Sequence, residues 1–287
     1  MTMLLRRLLT LVLLLALPGA AAARPALWKV SDADTTVWLF GTVHALPKGT
    51  GWYDGRTADA FEHSDTLVTE IIDKNPEQMR AVVQASAMLP EGRSLRAMMT
   101  ARQRAAFERA LAANKMPPAA LDRYQPWYAA VALATLPLLT SGYDPANGVD
   151  ATLGAKAATL KLAHEALETP EYQLSLFGSL PMPVQKRYLS QVVRNLPKLK
   201  GELTAIIASW QAGNASRLAK LMNDDEDDPA LKDKLLIGRN KAWARWISAR
   251  MAKPGAVFVA VGAGHLAGPG SVQDQLRALG LKAVRVQ

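Results

Sequence analysis

One stretch near the carboxyl end limits the fold more than any other: Gly255-Ala-Val-Phe-Val-Ala-Val-Gly-Ala-Gly-His-Leu-Ala-Gly-Pro-Gly270. Ala256 to Val261 is an unbroken apolar run of the kind that a strand covered on both faces requires. Gly262 and Gly264 then let the chain turn, His265 is the first side chain able to do chemistry, and Ser271 to Leu279 reads as an amphipathic helix. Such a strand belongs in a sheet with helices on both sides. The residues just past its end lie at the sheet's carboxyl edge, where open α/β folds bind ligands. More than two hundred residues earlier, the strand-like run Thr36 to Phe40 ends in the same way, in Gly41-Thr-Val-His44.

The amino end reads as an address. Met1 to Arg7 is a short basic segment, Leu8 to Leu17 is apolar and uncharged, Pro18-Gly19 breaks it, and Ala20 to Ala23 supplies small residues for cleavage after Ala22 or Ala23. Residues 1–23 are therefore expected to be a signal peptide and the product periplasmic or secreted in a bacterium; without cleavage it would be membrane-anchored. The apolar run is short for a span, so no stable membrane span is expected once the signal is removed. Losing Arg6 and Arg7 takes the net charge from +9 to +7. Basic residues alternate with acids and no Lys/Arg run exceeds two, which reads as a solvated basic surface and not a nucleic-acid site. There is no cysteine, so nothing is stapled by disulfides.

In order, strands are expected at Ala26 to Val30, Thr36 to Phe40, Asp65 to Ile72, His164 to Glu168, Ala256 to Val261 and Leu281 to Val286. Helices fill most of the rest. Asn75-Pro76 suits an N-cap and first turn, Trp127 to Leu139 reads as a buried helix, Gly148-Val-Asp150 opens another, and Pro229 to Met251 is one long helix with Asp228 as its cap. The fold class is therefore α/β: residues 24–287 form one domain, its mixed sheet is built from both chain ends, and large helical insertions lie at roughly 75–145 and 180–250.

Four expected strands deliver a charged or coordinating side chain at or beyond their ends: His44, Glu70, Glu168 and His265. If these strands run parallel, the four converge on one crevice. Two imidazoles and a carboxylate make a catalytic metal set with an open water position, and a metal there needs no nucleophilic serine or cysteine. The chain carries no G-x-S-x-G and no H-E-x-x-H. Other signals fall away. Gly262-x-Gly264-x-x-x-Gly268 is one residue too long for a dinucleotide fingerprint and lies too close to the chain's end. His164-Glu-x-x-Glu168 lacks a second histidine, His63 reads as exposed, and Asp224 to Asp228 lacks the spacing of a calcium loop. Arg239-Asn240 reads either as a helix surface or as a donor pair holding a substrate carboxylate or oxyanion.

At these residues the chain resembles the TraB/GumN family, relatives of the Tiki and PrgY proteins. The matching segments are Leu39-Phe-Gly-Thr-Val-His44, Leu67-Val-Thr-Glu70, Gly148-Val-Asp150, Leu167-Glu-Thr169 with Gln173, Arg239-Asn240 and Val261-Gly-Ala-Gly-His-Leu-Ala-Gly268, in the family's order. The resemblance implies an α/β fold similar to the erythromycin-esterase and ChaN-like group and a divalent-metal-dependent peptidase site (Mn, Co or Zn). Carried over, the ligands are His44, His265 and Glu70, with Glu70 as third ligand or general base. Glu168, Arg239 and Asn240 are further catalytic members, Asp150 is secondary, and Gly41, Gly262 and Gly264 form the turns. The substrate would be a peptide or small molecule. The alternatives are a protein that binds or sequesters peptides in the same crevice, and a metal-free esterase using histidine as base.

Overall fold

The computed structural model describes residues 24–72, 75–223 and 228–287; the expected signal peptide and the acids Asp224 to Asp227 lie outside the described residues. The strands are β1 (Leu27–Ser31), β2 (Thr35–Thr42), β3 (Leu46–Pro47), β4 (Thr66–Thr69), β5 (Tyr143–Asp144), β6 (Ala163–Ala166), β7 (Gly255–Gly262) and β8 (Val284–Arg285). Six of them form one sheet in the order β6-β4-β7-β2-β1-β8. β6, β4, β7 and β2 are mutually parallel, and β1 pairs antiparallel with both β2 and β8. This is the mixed α/β sheet expected from both chain ends.

The β1–β2 hairpin turns on Asp32, whose Oδ1 accepts from the N–H groups of Asp34 (3.2 Å) and Thr35 (2.9 Å), a local carboxylate turn of the usual Asx kind. β7, the last long strand in sequence, enters between β2 and β4, so the middle of the sheet closes only when the chain's end returns. Its side chains alternate in the pleat. Phe258 and Ala260 join Phe40 and Leu67 on one face, under helices Gly55–Glu62, Val149–Leu160 and Leu199–Gln211; Val257, Val259 and Val261 join Val37, Leu39 and Val68 on the other, under Gly238–Arg250 and Val272–Ala278. Both faces are covered, which is why the run had to be continuously apolar.

A further apolar cluster sits in the helical insert, where Phe107, Leu111, Ala130, Leu133 and Leu189 pack between helices Ala101–Ala113, Pro126–Leu139 and Met182–Asn195. The apolar helix expected to be buried throughout is buried only toward its start, at Trp127, Ala129, Ala130 and Leu133; Leu139 is 48% exposed. No helix among the described residues is long and apolar enough to cross a membrane. Three expectations shift in detail. The last strand shrinks to Val284–Arg285, because β1 offers it partners only at Trp28 and Lys29. The long helix from Pro229 contains a π turn, Asp233–Ile237, before continuing as Gly238–Arg250. β3 and β5 form a small pair within what reads as loop. Asn75 and Asp228 cap as expected, accepting from Gln78 and Ala230 N–H.

Candidate active site

The parallel strands bring their ends to one edge. Thr42 lies opposite Gly262, and Thr69 opposite both Ala260 and Ala166. His44, Glu70, Glu168 and His265 all come within a few residues of those ends. Two helices approach from opposite faces: Val149–Leu160 brings Asp150, and Gly238–Arg250 brings Arg239, Asn240 and Trp243.

Glu70, Glu168, Arg239 and His265 form a single buried network. Arg239 lies 9% exposed and uses every N–H it has. Its Nε donates to Glu168, its Nη2 to Glu70 Oε2 (2.6 Å) and Glu168 Oε2 (2.7 Å), and its Nη1 to the Leu235 carbonyl (3.3 Å) and His265 Nε2 (3.0 Å). Leu235 belongs to the π turn, which places this acceptor directly behind the guanidinium; such turns recur at functional positions. Gln173 Nε2 ties the two carboxylates together, 2.9 Å from an oxygen of each. Glu70 Oε1 accepts from the Gly262 N–H at 2.7 Å. Burial alone would raise the Glu70 carboxyl, but attraction to His265, which is charged only in strong acid, and to Arg239, with the Gly262 hydrogen bond, outweighs it and lowers its pKa to about 2.

His265 is 7% exposed, with Nδ1 2.6 Å from Asn240 Oδ1. Nδ1 therefore donates to the asparagine, and Nε2 accepts from Arg239. Asn240 is fully buried and passes its own amide hydrogen to the Gly270 carbonyl at 2.8 Å. Burial pushes the His265 pKa down to about 3, with Glu70 pulling against it and Arg239 adding to it. The ring is thus neutral near neutral pH, and Arg239 is the cation that keeps Glu70 ionised. Trp243, one turn after Arg239, lies 4.4 Å from the His265 ring and 4.7 Å from the guanidinium, and donates Nε1 to Glu168 Oε1 at 3.0 Å.

His44 differs. Its Nδ1 lies 2.8 Å from Asp150 Oδ2, its side chain is 72% open to solvent, and its Nε2 has no hydrogen-bond partner among the described residues. The Asp150 hydrogen bond, opposed by partial burial, raises its pKa to about 9. The pairing rests on Gly148: a Cβ there would meet the His44 carbonyl oxygen at 2.1 Å, and Val149 N–H donates to the Val43 carbonyl at 3.0 Å. The helix start is thereby pressed onto the His44 turn, with Asp150 in its first turn, where the helix dipole favours a carboxylate.

The glycines act through close approach. A Cβ on Gly41 would meet Ala263 Cα at 3.0 Å, and one on Gly262 would lie 3.2 Å from Glu70 Oε1, 3.6 Å from His265 Cδ2 and 4.0 Å from His44 Nε2. Gly262 is therefore the point around which the two histidines and Glu70 gather. Neither glycine has positive φ, so a sharp turn is not what demands them. Gly264 packs away from these groups, with a Cβ position 3.2 Å from Asn223 Oδ1 and 3.3 Å from Met222 Cε.

The structure brings together His44, Glu70, Asp150, Glu168, Arg239, Asn240 and His265. Arg239 and Asn240 reach the crevice from behind and spend their groups on the site's own side chains: no Arg239 N–H is left to hold a substrate carboxylate or oxyanion. Three contributors went unread in the sequence. Trp243 has a usable signal in its i,i+4 spacing from Arg239. Trp210, whose Nε1 donates to the Gly41 carbonyl at 2.7 Å, and Asn223, whose Nδ2 donates to the carbonyls of Gly264 (3.0 Å) and Ala267 (2.9 Å), are supplied by tertiary contact alone. His63 is exposed, and His164 meets Thr69 Oγ1 at 2.8 Å on β6.

A metal centre at His44, Glu70 and His265 requires a lone pair from each. Arg239 engages Nε2 of His265 and Nδ1 faces Asn240, while Glu70 Oε1 accepts a single hydrogen bond and keeps a lone pair. Among the described residues no group of three or more His, Cys, Asp or Glu side chains is disposed to hold a metal ion. In this arrangement His265 has no lone pair free for a metal, so the three residues fit a metal centre only once Arg239 withdraws from Nε2.

A family model for the TraB/PrgY/gumN family matches residues 26–285, nearly all of the chain beyond the expected signal. An uncharacterized protein of Treponema pallidum (strain Nichols) is 21% identical over 266 residues, spanning 87% of this chain and 79% of its own. No solved structure gives a significant match. The chain belongs to the TraB/PrgY/gumN family.

Proposed function

We propose that this member of the TraB/PrgY/gumN family is an exported hydrolase of amide or ester carbonyls, with peptides as its leading substrate class, and that His44 is its proton-transferring residue. The observation that carries this reading is the His44–Asp150 pair: Nδ1 is clamped by a carboxylate at 2.8 Å while Nε2 stands open at the carboxyl edge beside Gly262. In its neutral form, whose share grows as pH rises toward the pKa of about 9, an imidazole so oriented takes a proton from water as the oxygen attacks a substrate carbonyl. When the carbon–nitrogen or carbon–oxygen bond breaks, Nε2 returns that proton to the leaving group. Asp150 holds the ring orientation and stabilises the imidazolium between the two steps, and the Glu70–Arg239–His265 network is the rigid wall behind them.

A second reading, in which a divalent ion (Mn, Co or Zn) supplies the activated water, is favoured by one observation. Both rings are held through Nδ1 by an oxygen acceptor, Asp150 or Asn240, as metal-bound imidazoles are. It requires Arg239 to withdraw from His265 Nε2. The test is cleavage of peptide and ester libraries by the purified mature protein, with metal analysis and with chelator or added Mn²⁺, Co²⁺ or Zn²⁺. Chelator-resistant turnover lost in His44→Ala supports the proposal; metal-dependent turnover with stoichiometric metal replaces it by the second reading. Peptide binding without cleavage under every condition overturns both in favour of a binding protein.

A further inference from the structure

We propose that the groove between helices Ala101–Ala113 and Met182–Asn195 binds a single-chain amphiphile with an anionic head, a free fatty acid being the simplest case. The groove encloses a cavity of ≈ 360 Å³, a size common among small-ligand sites. It lies in the helical insert, whose apolar cluster is separate from those flanking the sheet, so the carboxyl-edge site takes no part in it.

Two features coincide there. The floor is apolar: Leu95, Phe107 and Leu189 are buried beneath it, and Met99, Ala106 and Val193 line its sides. The rim is cationic: Arg102 and Arg109 come from one helix, Lys186 and Arg194 from the other, and no Asp or Glu lines the cavity. The register makes this systematic, since Arg102, Ala106 and Arg109 follow one helix face at i, i+4 and i+7, and Lys186, Ser190 and Val193 follow the facing one. Glu108, the acid on the first helix, is committed to Arg96 at 3.0 Å. Gln103 Nε2 reaches Ser190 Oγ across the groove at 3.5 Å.

Neither feature alone would call for a ligand. Exposed arginines are well solvated in water, and an apolar slot between helices is normally closed by larger side chains. Here the small Ala106 leaves the slot open, while the cations stand where a chain lying in it would carry its head group. An alkyl tail covers the floor, and a carboxylate meets guanidinium donors, which hold such groups by short, charge-assisted hydrogen bonds.

The experiment is calorimetric titration of the mature protein with dodecanoate below its micelle concentration, against acetate, dodecyltrimethylammonium and phosphatidylglycerol vesicles. The expected result is saturable 1:1 binding of dodecanoate, none of acetate, and at least tenfold weaker binding of the cationic amphiphile, the scale of one lost hydrogen bond to a charged group. Arg109→Glu with Arg194→Glu should weaken dodecanoate at least tenfold by the same measure, and Ala106→Trp should fill the slot and abolish binding with the surface charge intact. All three positions border the solvent-open groove, and circular dichroism of each variant checks its fold. Equal binding of both amphiphiles, dodecanoate binding untouched by these variants, or binding to vesicles alone would each overturn the assignment.

Discussion

Replacing Arg239 by methionine isolates what holds the site together. Methionine keeps the unbranched stem beside Trp243 but removes the one cation contacting both Glu70 and Glu168, side chains only 10% and 5% exposed. Breaking a buried pair by deleting one partner costs about 3–5 kcal/mol, because the other charge is left uncompensated. A ceiling comes from proton uptake: a carboxyl with an ordinary pKa near 4.3 can be neutralised at pH 7.5 for about 4 kcal/mol and at pH 5.5 for about 2 kcal/mol. In the variant, burial raises the folded-state pKa of Glu70 above its unfolded value. Folding then takes up a proton, and stability rises as pH falls. His265, released from Arg239, also protonates more readily and moves stability in the same direction. In the parent, the Glu70 pKa is already lowered to about 2, so its contribution is constant above the unfolded value and is lost only as pH falls from there toward 2. Urea unfolding followed by tryptophan fluorescence should thus show a deficit of about 4 kcal/mol at pH 7.5, shrinking to about 2 kcal/mol at pH 5.5. A melting temperature lower by roughly 10 °C at the higher pH should accompany it. A deficit below about 1 kcal/mol, or one that does not change with pH, would refute the reasoning by showing that water already solvates these carboxylates.

Asp150→Asn should bring the His44 pKa down from about 9 toward the ordinary imidazole value, followed by NMR titration of its ring proton; a value still near 9 would mean another group raises it. Gly262→Ala places a methyl 3.2 Å from Glu70 Oε1 and should remove hydrolysis while far-ultraviolet circular dichroism stays native. Gly264→Ala presses only on Asn223 and Met222, so it should lower the melting temperature and leave kcat in place. Trp243→Phe keeps the ring against His265 but leaves Glu168 Oε1 one donor short, for a stability loss of about 1–3 kcal/mol by urea titration.

The sheet was legible because its central strand is buried on both faces, a condition that only an unbroken apolar run such as Ala256 to Val261 satisfies. The convergence of His44, Glu70, Glu168 and His265 was legible for a related reason: in parallel strands, polar residues at run ends must share an edge. Other parts of the site depend on contacts between distant segments and leave no local trace. Asp150 belongs to His44 because Gly148 lets a helix start touch the His44 carbonyl, a contact spanning more than a hundred residues. Arg239-Asn240 could be read as a helix surface or as donors for a substrate, since spacing cannot show that Glu70, Glu168, His265 and Leu235 exhaust the guanidinium. The β3–β5 pair has two residues per strand, too few for any periodicity to register.

The two G-x-x-H turns look like copies in sequence, and their environments argue that they are complementary halves. Each begins with a glycine because another part of the site presses on it, Ala263 on Gly41 and Glu70 on Gly262. Each histidine is clamped at Nδ1, but by a carboxylate in one case and a neutral amide in the other. That difference, together with the deep burial of His265, separates their chemistry. Burial and the neighbouring Arg239 keep His265 neutral, with Nε2 committed to Arg239; the Asp150 carboxylate holds His44 protonated near neutral pH, with Nε2 uncommitted. A site with one fixed imidazole and one titrating imidazole has its proton traffic on the titrating side. Under the proposed hydrolase reading, the fixed half holds Glu70 and Gly262 in place beside the titrating His44.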